Sequence, residues 1–319
     1  MRFPRSVLPA MLLAALAAAA GRPEADVLPP PPALTGQALQ ERYAAGDRPG
    51  RQFLAISHKG DGQAIEVVGD LATARTVVVY VPGSGQSLGS FDSSYEGPGR
   101  AARALHDEAA AIEPGTAVIG WLGYDPPDLI NPEVVTTWPA ERGAERLRAF
   151  LTALDRALDE RAAVVATPAQ GDRAQGDRVQ GERVQGDRVQ GDRAQGERGL
   201  PEQARISLVC HSYGSVVCGR AVAGLRVADL VVTGSPGLGA ATAGDLRTSA
   251  RVWAGLGSRD DVWRPGVELG PFGFGTDPVS PAFGARVFDA GDATHGTYLR
   301  PGSPALKRIA RIAVTGSAE

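Results

Sequence analysis

A serine that could act as a nucleophile stands where an apolar stretch of the chain ends. Residues 206–211 are mostly apolar, and Ser212 and Gly214 follow them directly. The pattern small-x-Ser-x-Gly between a strand and a helix predicts a tight turn that holds the serine Oγ clear of the backbone. Small neighbours are needed because the strand and helix backbones pass close to a strained residue. Cys210 occupies the position where glycine is usual.

A serine nucleophile needs a general base, and the chain contains four histidines. In the motif described above, the partners follow in the order serine, acid, histidine. His58 and His106 precede Ser212 and therefore do not fit. His211 adjoins the serine and is expected to point to the other side of the turn. His295 remains, on a loop after a short strand-like run, and is predicted to be the base.

A carboxylate is expected to orient this histidine and to stabilise its protonated form. Residues 251–256 have the pattern of a strand, and the loop after them contains Gly257, Asp260 and Asp261. Asp260 follows Gly257 with the usual Gly-x-x-Asp spacing, and Asp261 is the alternative. The sequence leaves the choice between the two aspartates open.

Donors for an oxyanion are predicted in a glycine-containing loop. Residues 76–81 form a continuous apolar run, which is typical of a parallel strand covered on both faces. Pro82-Gly83-Ser84-Gly85 follows, and we predict that the main-chain N–H groups of Ser84 and Tyr213 form the oxyanion hole. A glycine-rich loop can instead bind phosphate. The spacing of a P-loop and the third glycine of a dinucleotide fingerprint are both missing here.

Four spaced segments together carry a resemblance to a known family. They are WLGYDPP at 121–127, CHSYGS at 210–215, GSPG at 234–237 and PAFGAR at 281–286. With these segments the chain resembles a branch of the α/β-hydrolases whose members are usually described as domains of unknown function. The resemblance extends over roughly residues 36 to 315 with one insertion. It implies the hydrolase fold and a triad with Ser212 and His295 as nucleophile and base, and it implies no substrate.

The order of apolar runs predicts the α/β class. A hairpin (53–57 and 64–68) precedes strands near residues 76, 117, 206, 229, 252 and 286, with helices between most of them, one of them over about 140–158. Alternation of this kind favours a mainly parallel sheet with helices on both faces. Only about seventeen residues separate the run at 229–232 from the next strand. We therefore expect no large cap domain.

The N-terminal residues have the pattern of an export signal. Residues 1–20 combine two arginines, an apolar stretch and Ala18-Ala19-Ala20, which fits a cleavable signal peptide. The apolar stretch is shorter than a membrane span requires, and an uncleaved anchor is the alternative. Residues 21–35 are predicted to be a Pro-rich linker and 36–319 the hydrolase domain. We expect a secreted or envelope-associated protein, with at most transient envelope contact.

Residues 168–199 contain six tandem copies of Ala/Val-Gln-Gly-Asp/Glu-Arg. Regular glycine, alternating charge and few bulky apolar side chains predict a disordered insertion, because little surface can be buried to offset the ordering entropy. We expect its deletion to leave activity unchanged.

The two cysteines, Cys210 and Cys218, lie on either side of Ser212. A disulfide is conceivable in an oxidising compartment. Two buried free thiols packed where the strand meets the helix would serve equally well, and the sequence favours these.

The sequence as a whole predicts a secreted serine hydrolase that cleaves a carboxylic ester or a small lipid through an acyl-enzyme. Neither a metal nor an organic cofactor is implied. The formal net charge of -3 and the lack of a basic patch argue against nucleic-acid binding. A thioesterase, peptidase or amidase would use the same groups, and a hydrolase-like binding protein without turnover is the alternative from another class. The substrate and the oligomeric state stay open.

Overall fold

A computed structural model of the chain describes residues 26–46, 48–128, 137–166, 203–261 and 274–319. The predicted signal peptide (1–20) and the predicted insertion (168–199) lie outside these residues. The helices and strands follow the chain in this order: α1 (Gly36–Ala44), β1 (Gln52–Ser57), β2 (Gln63–Val68), β3 (Thr76–Val81), α2 (Pro98–Ile112), β4 (Thr116–Leu122), α3 (Trp138–Ala166), β5 (Arg205–His211), α4 (Gly214–Ala221), β6 (Asp229–Thr233), β7 (Arg251–Leu256), β8 (Arg286–Asp289) and α5 (Pro304–Thr315).

The strands form one sheet in the order β1-β2-β4-β3-β5-β6-β7-β8. β1 pairs antiparallel with β2, and β2 pairs antiparallel with β4. The remaining neighbours are parallel. Every residue of β3 and β4 is buried, as expected for parallel strands covered on both faces. The predicted α/β class with a mainly parallel sheet is confirmed.

Helices cover both faces of the sheet. On one face, Leu105 of α2 and Ile309 of α5 share a core cluster with Val78 of β3. On the other face, Leu147 of α3 and Val217 of α4 pack in a cluster with the alternate side chains of the same strands. Each helix thus buries one apolar stripe against the sheet, which is the arrangement that the alternating sequence pattern requires.

Two boundaries differ from the sequence-based prediction. Helix α3 covers Trp138–Ala166 rather than 140–158. Residues 159–166 are mostly Ala, Glu and Arg, which are good helix formers, so the helix continues beyond its buried stripe. Packing also begins within the predicted linker: Leu34 is buried, and Arg42 Nη1 donates to the carbonyl of Pro30.

The segment between β6 and β7 is short and simple. Residues 234–250, all of them described, contain one 3₁₀ turn (Ala243–Leu246) as their only helix. The prediction that no large cap domain is inserted here is confirmed. None of the described helices is both long and apolar enough to cross a bilayer.

Candidate active site

The serine turn has the geometry that the sequence pattern predicts. β5 ends at His211 and α4 begins at Gly214, so the turn between them consists of Ser212 and Tyr213. Ser212 has φ 52°, a left-handed conformation that costs a non-glycine residue about 1–3 kcal/mol. A Cβ on Gly214 would lie 2.5 Å from the carbonyl oxygen of Pro82, so that only glycine fits there. The turn therefore places Ser212 Oγ at the carboxyl edge of the sheet.

Cys210 and Cys218 form a disulfide, and the preference for two free thiols is wrong. Both residues are fully buried. Helix α4 folds back along β5 and brings the two Cα atoms to 6.6 Å, which is within the reach of a disulfide. The bridge links the strand before Ser212 to the helix after it, so one covalent bond joins the two elements that flank the turn.

The structure brings three of the predicted site residues together. Ser212 Oγ lies 2.9 Å from His295 Nε2. On the other side of the ring, His295 Nδ1 lies 2.9 Å from Asp260 Oδ2 and 3.2 Å from Oδ1. The Asp260 side chain is fully buried, whereas the neighbouring Asp261 is exposed. A carboxylate at Nδ1 favours the tautomer with a proton on Nδ1, which leaves Nε2 ready to accept the serine proton.

Tyr298 supports the acid and was not found by sequence reasoning. Its hydroxyl donates to Asp260 Oδ2 at 2.7 Å and accepts from the main-chain N–H of Gly257 at 3.0 Å. Burial raises the pKa of the Tyr298 phenol, so that it stays protonated and able to donate. A tyrosine three residues after a histidine has no sequence pattern that distinguishes it from core packing. The contact is visible only in the folded chain.

The predicted oxyanion loop lies beside the serine. A Cβ on Gly83 would be 2.7 Å from the Cβ of Ser212, which shows how close the two backbones are. Ser84, the next residue, is partly buried. Tyr213, the second predicted donor, is the N-cap of α4, at the helix end where the dipole favours negative charge. An oxyanion beside Ser212 would therefore face both segments.

The WLGYDPP segment holds this loop in place. Tyr124 Oη donates to the carbonyl of Pro82 at 2.8 Å, and Gly85 N donates to the carbonyl of Pro127 at 3.0 Å. The Tyr124 ring stacks on Trp121, with ring centroids 5.9 Å apart. The segment thus positions a loop of the site from the neighbouring strand, a contact that its sequence did not predict.

His211, which adjoins the nucleophile, lies beside the candidate base. Its Nε2 lies 2.8 Å from the carbonyl oxygen of His295, and the two imidazole rings are 4.8 Å apart. Burial and the neighbouring His295 lower the pKa of His211 to about 3, so that its ring is neutral at ordinary pH. A neutral imidazole carries one N–H, and Nε2 can donate to the carbonyl of His295 only if that proton is on Nε2. The contact therefore selects the Nε2–H tautomer of His211.

A buried carboxyl group, Glu96, completes the surroundings of His211. Glu96 Oε1 accepts from the main-chain N–H of Leu299 at 3.1 Å, and Tyr80 Oη donates to the Glu96 carbonyl at 2.9 Å. Glu96 Oε2 is 4.0 Å from His211 Nδ1. Burial, with a smaller contribution from the charge of Asp260, raises the pKa of Glu96 to about 7.

Comparison with known proteins connects this geometry to one family. A family model described as alpha/beta hydrolase matches residues 58–167 and 192–271, which is more than half of the chain. Two uncharacterised proteins of Mycobacterium tuberculosis, from strains CDC 1551 and H37Rv, are each 27% identical over 288 residues. The match covers 80% of this chain and 37% of each relative, so the chain spans little more than a third of their length.

The chain also has a distant likeness to solved structures. An esterase designated PE8 is 16% identical with a TM-score of 0.42, and the match covers 77% of this chain and 95% of that one. A serine hydrolase without a lid from Xanthomonas campestris is 13% identical with a TM-score of 0.37, and the match covers 84% and 94% of the two chains.

Proposed function

Because the chain belongs to an α/β-hydrolase family, we propose that it is a serine hydrolase that cleaves a carboxylic ester or a small lipid. The observation that supports this most strongly is the continuous chain of hydrogen bonds from Ser212 Oγ through His295 to Asp260. The strained φ of Ser212 agrees with it, since such strain concentrates at residues whose geometry serves function.

In the proposed reaction, Ser212 Oγ attacks the ester carbonyl while His295 Nε2 takes the serine proton. The main-chain N–H groups of Ser84 and Tyr213 stabilise the oxyanion that forms. When the tetrahedral intermediate collapses, His295 returns the proton to the leaving alcohol and an acyl-enzyme remains. A water molecule then gives a proton to His295 Nε2 and attacks the acyl carbonyl. As the bond from the acyl carbon to Ser212 Oγ breaks, His295 passes this proton to Ser212 Oγ, which releases the acid and restores both residues. Asp260 holds the imidazole tautomer throughout.

We also propose that the protein works outside the reducing cytosol. Disulfides persist in oxidising compartments and are rare in the cytosol, and the Cys210–Cys218 bridge fits the former. The charged and apolar pattern of residues 1–20 is a second observation that supports export. Secretion with at most transient contact with the cell envelope accounts for both observations. No metal or organic cofactor is needed for this chemistry, and that expectation stays a prediction.

Two alternatives lead to different measurements. A thioesterase, peptidase or amidase would use the same residues, and differs only in the leaving group that His295 protonates. A hydrolase-like binding protein without turnover would need no alignment of serine and base. The 2.9 Å distance between Ser212 Oγ and His295 Nε2 favours the enzyme.

The test is labelling of the mature protein with a fluorophosphonate probe, followed by hydrolysis of p-nitrophenyl esters of increasing chain length. We expect wild type to be labelled, and Ser212→Ala and His295→Ala not to be. Ser212→Ala should lower kcat by about 10⁶-fold, as in other serine hydrolases. Ser207→Ala is the matched control, because Ser207 is buried on the same strand far from the turn, and it should be labelled normally. A folded wild type that resists the probe would favour the binding protein.

A further inference from the structure

The loop that carries His295 is attached to the rest of the molecule by side chains that the reaction itself does not use. His211 Nε2 donates to the carbonyl of His295, at the centre of the loop. Glu96 Oε1 accepts from the N–H of Leu299, four residues further along. Both contacts are to main-chain atoms, so they fix the path of the backbone that aims the imidazole at Ser212.

We propose that His211 and Glu96 are positioning residues for the general base: together they anchor the main chain of the His295 loop and set the distance from Nε2 to Ser212 Oγ. This inference rests on the proposed function. Neither residue touches the reacting atoms, and each acts through the backbone of the loop.

The two side chains come from elements that the sheet holds rigidly. His211 is the last residue of β5, directly before the nucleophile, so the same strand end carries Ser212 and an anchor for its base. Glu96 precedes α2, and its backbone carbonyl is fixed by the hydroxyl of Tyr80 on β3. The nucleophile and both anchoring residues of the base are therefore held by the neighbouring strands β3 and β5 of one sheet. Movement of the loop relative to Ser212 requires that these contacts break.

Both hydrogen bonds are made by buried side chains, so water cannot readily replace either of them. The side chains of His211 and Glu96 are 7% and 5% exposed, so water has little access to replace a lost hydrogen bond. A buried polar group left without its partner destabilises the structure around it, and the loop can relieve this by shifting. A displacement of about 1 Å in a catalytic group can reduce the rate on the order of 10²-fold. An aligned base thus depends on both anchors.

Matched substitutions separate the effect of losing the hydrogen bond from the effect of changing the size of the side chain. His211→Gln keeps an N–H donor at the end of the side chain, whereas His211→Met keeps the size and removes the donor. Glu96→Gln keeps the acceptor for Leu299 N–H, and Glu96→Met removes it. We expect both Met variants to lose about 10- to 100-fold in kcat with KM within about 3-fold of wild type, and both Gln variants to stay within about 3-fold.

Two further measurements and one control variant accompany the kcat values. The rate of fluorophosphonate labelling should fall in parallel with kcat, and the downfield proton resonance of the His295–Asp260 hydrogen bond should broaden or shift in the Met variants. Ser207→Ala loses a buried hydrogen bond from β5 to the carbonyl of Ala313 and controls for general destabilisation, so its kcat should not change. If one Met variant does not fold, the other gives the same readout.

A folded Met variant with wild-type kcat, labelling rate and proton resonance would overturn the inference. The proposed function fails in a different way, by equal labelling of wild type and Ser212→Ala. The two failures are therefore distinguishable in one set of proteins.

Discussion

The hydroxyl of Tyr298 donates to Asp260 Oδ2 at 2.7 Å, the same oxygen that lies 2.9 Å from His295 Nδ1. The same hydroxyl accepts from the N–H of Gly257, at the start of the loop that carries the acid. Tyr298 thus joins the acid loop to the base loop. The buried carboxylate receives two hydrogen bonds on one oxygen, which fixes its orientation toward the imidazole.

Tyr298→Phe should therefore weaken the site without removing any of its three central residues. The substitution leaves Gly257 N–H buried without this acceptor and removes one donor from Asp260. We expect the free energy of unfolding to fall by about 1–3 kcal/mol and kcat to fall by about 10-fold, since a charge-assisted hydrogen bond is lost. Urea unfolding and ester hydrolysis check the two effects. Unchanged kcat would mean that Asp260 keeps its orientation unaided.

Asp260 and Asp261 should differ sharply when each is replaced. Asp260→Asn should lower kcat by about 10⁴-fold, because an amide at this position no longer favours the productive tautomer of His295. Asp261→Asn is the natural control, since it changes the adjacent, exposed carboxylate in the same way. Its kcat should stay within about 2-fold of wild type. Steady-state hydrolysis of a p-nitrophenyl ester distinguishes them, and a larger loss at Asp261 would reverse the assignment.

The Cys210–Cys218 bridge should stabilise the folded protein. It closes a short loop, with the two residues eight positions apart, for which the chain-entropy model gives about 2.5 kcal/mol. We expect the double variant Cys210→Ala/Cys218→Ala to unfold at correspondingly lower urea concentration. Mass spectrometry of the alkylated, non-reduced protein is the companion measurement. Two modified thiols in the folded wild type would rule out the bridge.

Glu96 should make the protein more stable at low pH than at neutral pH. Burial raises its pKa from 4.5 to about 7, with Tyr80, His211 and the charge of Asp260 nearby. The protonated form is favoured in the folded state, so the contribution is complete below pH 4.5 and is lost as pH rises through about 7. The loss should reach about 3 kcal/mol. Glu96→Gln does not titrate, so urea unfolding of both proteins from pH 4.5 to 8 isolates the effect. Parallel curves would contradict it.

His211 should act in the opposite direction. Burial and the adjacent His295 lower its pKa from 6.5 to about 3, with the negative charge of Asp260 acting weakly the other way. The neutral ring is favoured in the folded state, so its contribution is present above pH 6.5 and is lost as pH falls toward 3. Relative to His211→Gln, wild type should therefore lose stability on acidification. A wild type that gains stability relative to this variant below pH 6.5 would show that the ring accepts a proton in the folded state.

The sequence by itself determined the parts of this protein that are encoded locally. A short apolar run such as residues 76–81 is typical of a buried parallel strand, and the small residues around Ser212 are required by the turn itself. The class of the fold, the strained serine and the short connection after β6 could therefore be predicted. The order of residues along the chain then reduced the candidates for the base to His295.

Only the tertiary structure decided which groups meet across the ends of different strands. Asp260 and Asp261 are adjacent in sequence, but the turn after β7 buries one carboxylate against His295 and leaves the other exposed. Glu96 and Leu299 are 203 residues apart. Their hydrogen bond depends on the pairing of β3 with β5 and on the path of the loop that carries His295. Such contacts have no local pattern, because hydrogen bonding depends on distance in space and not on distance along the chain.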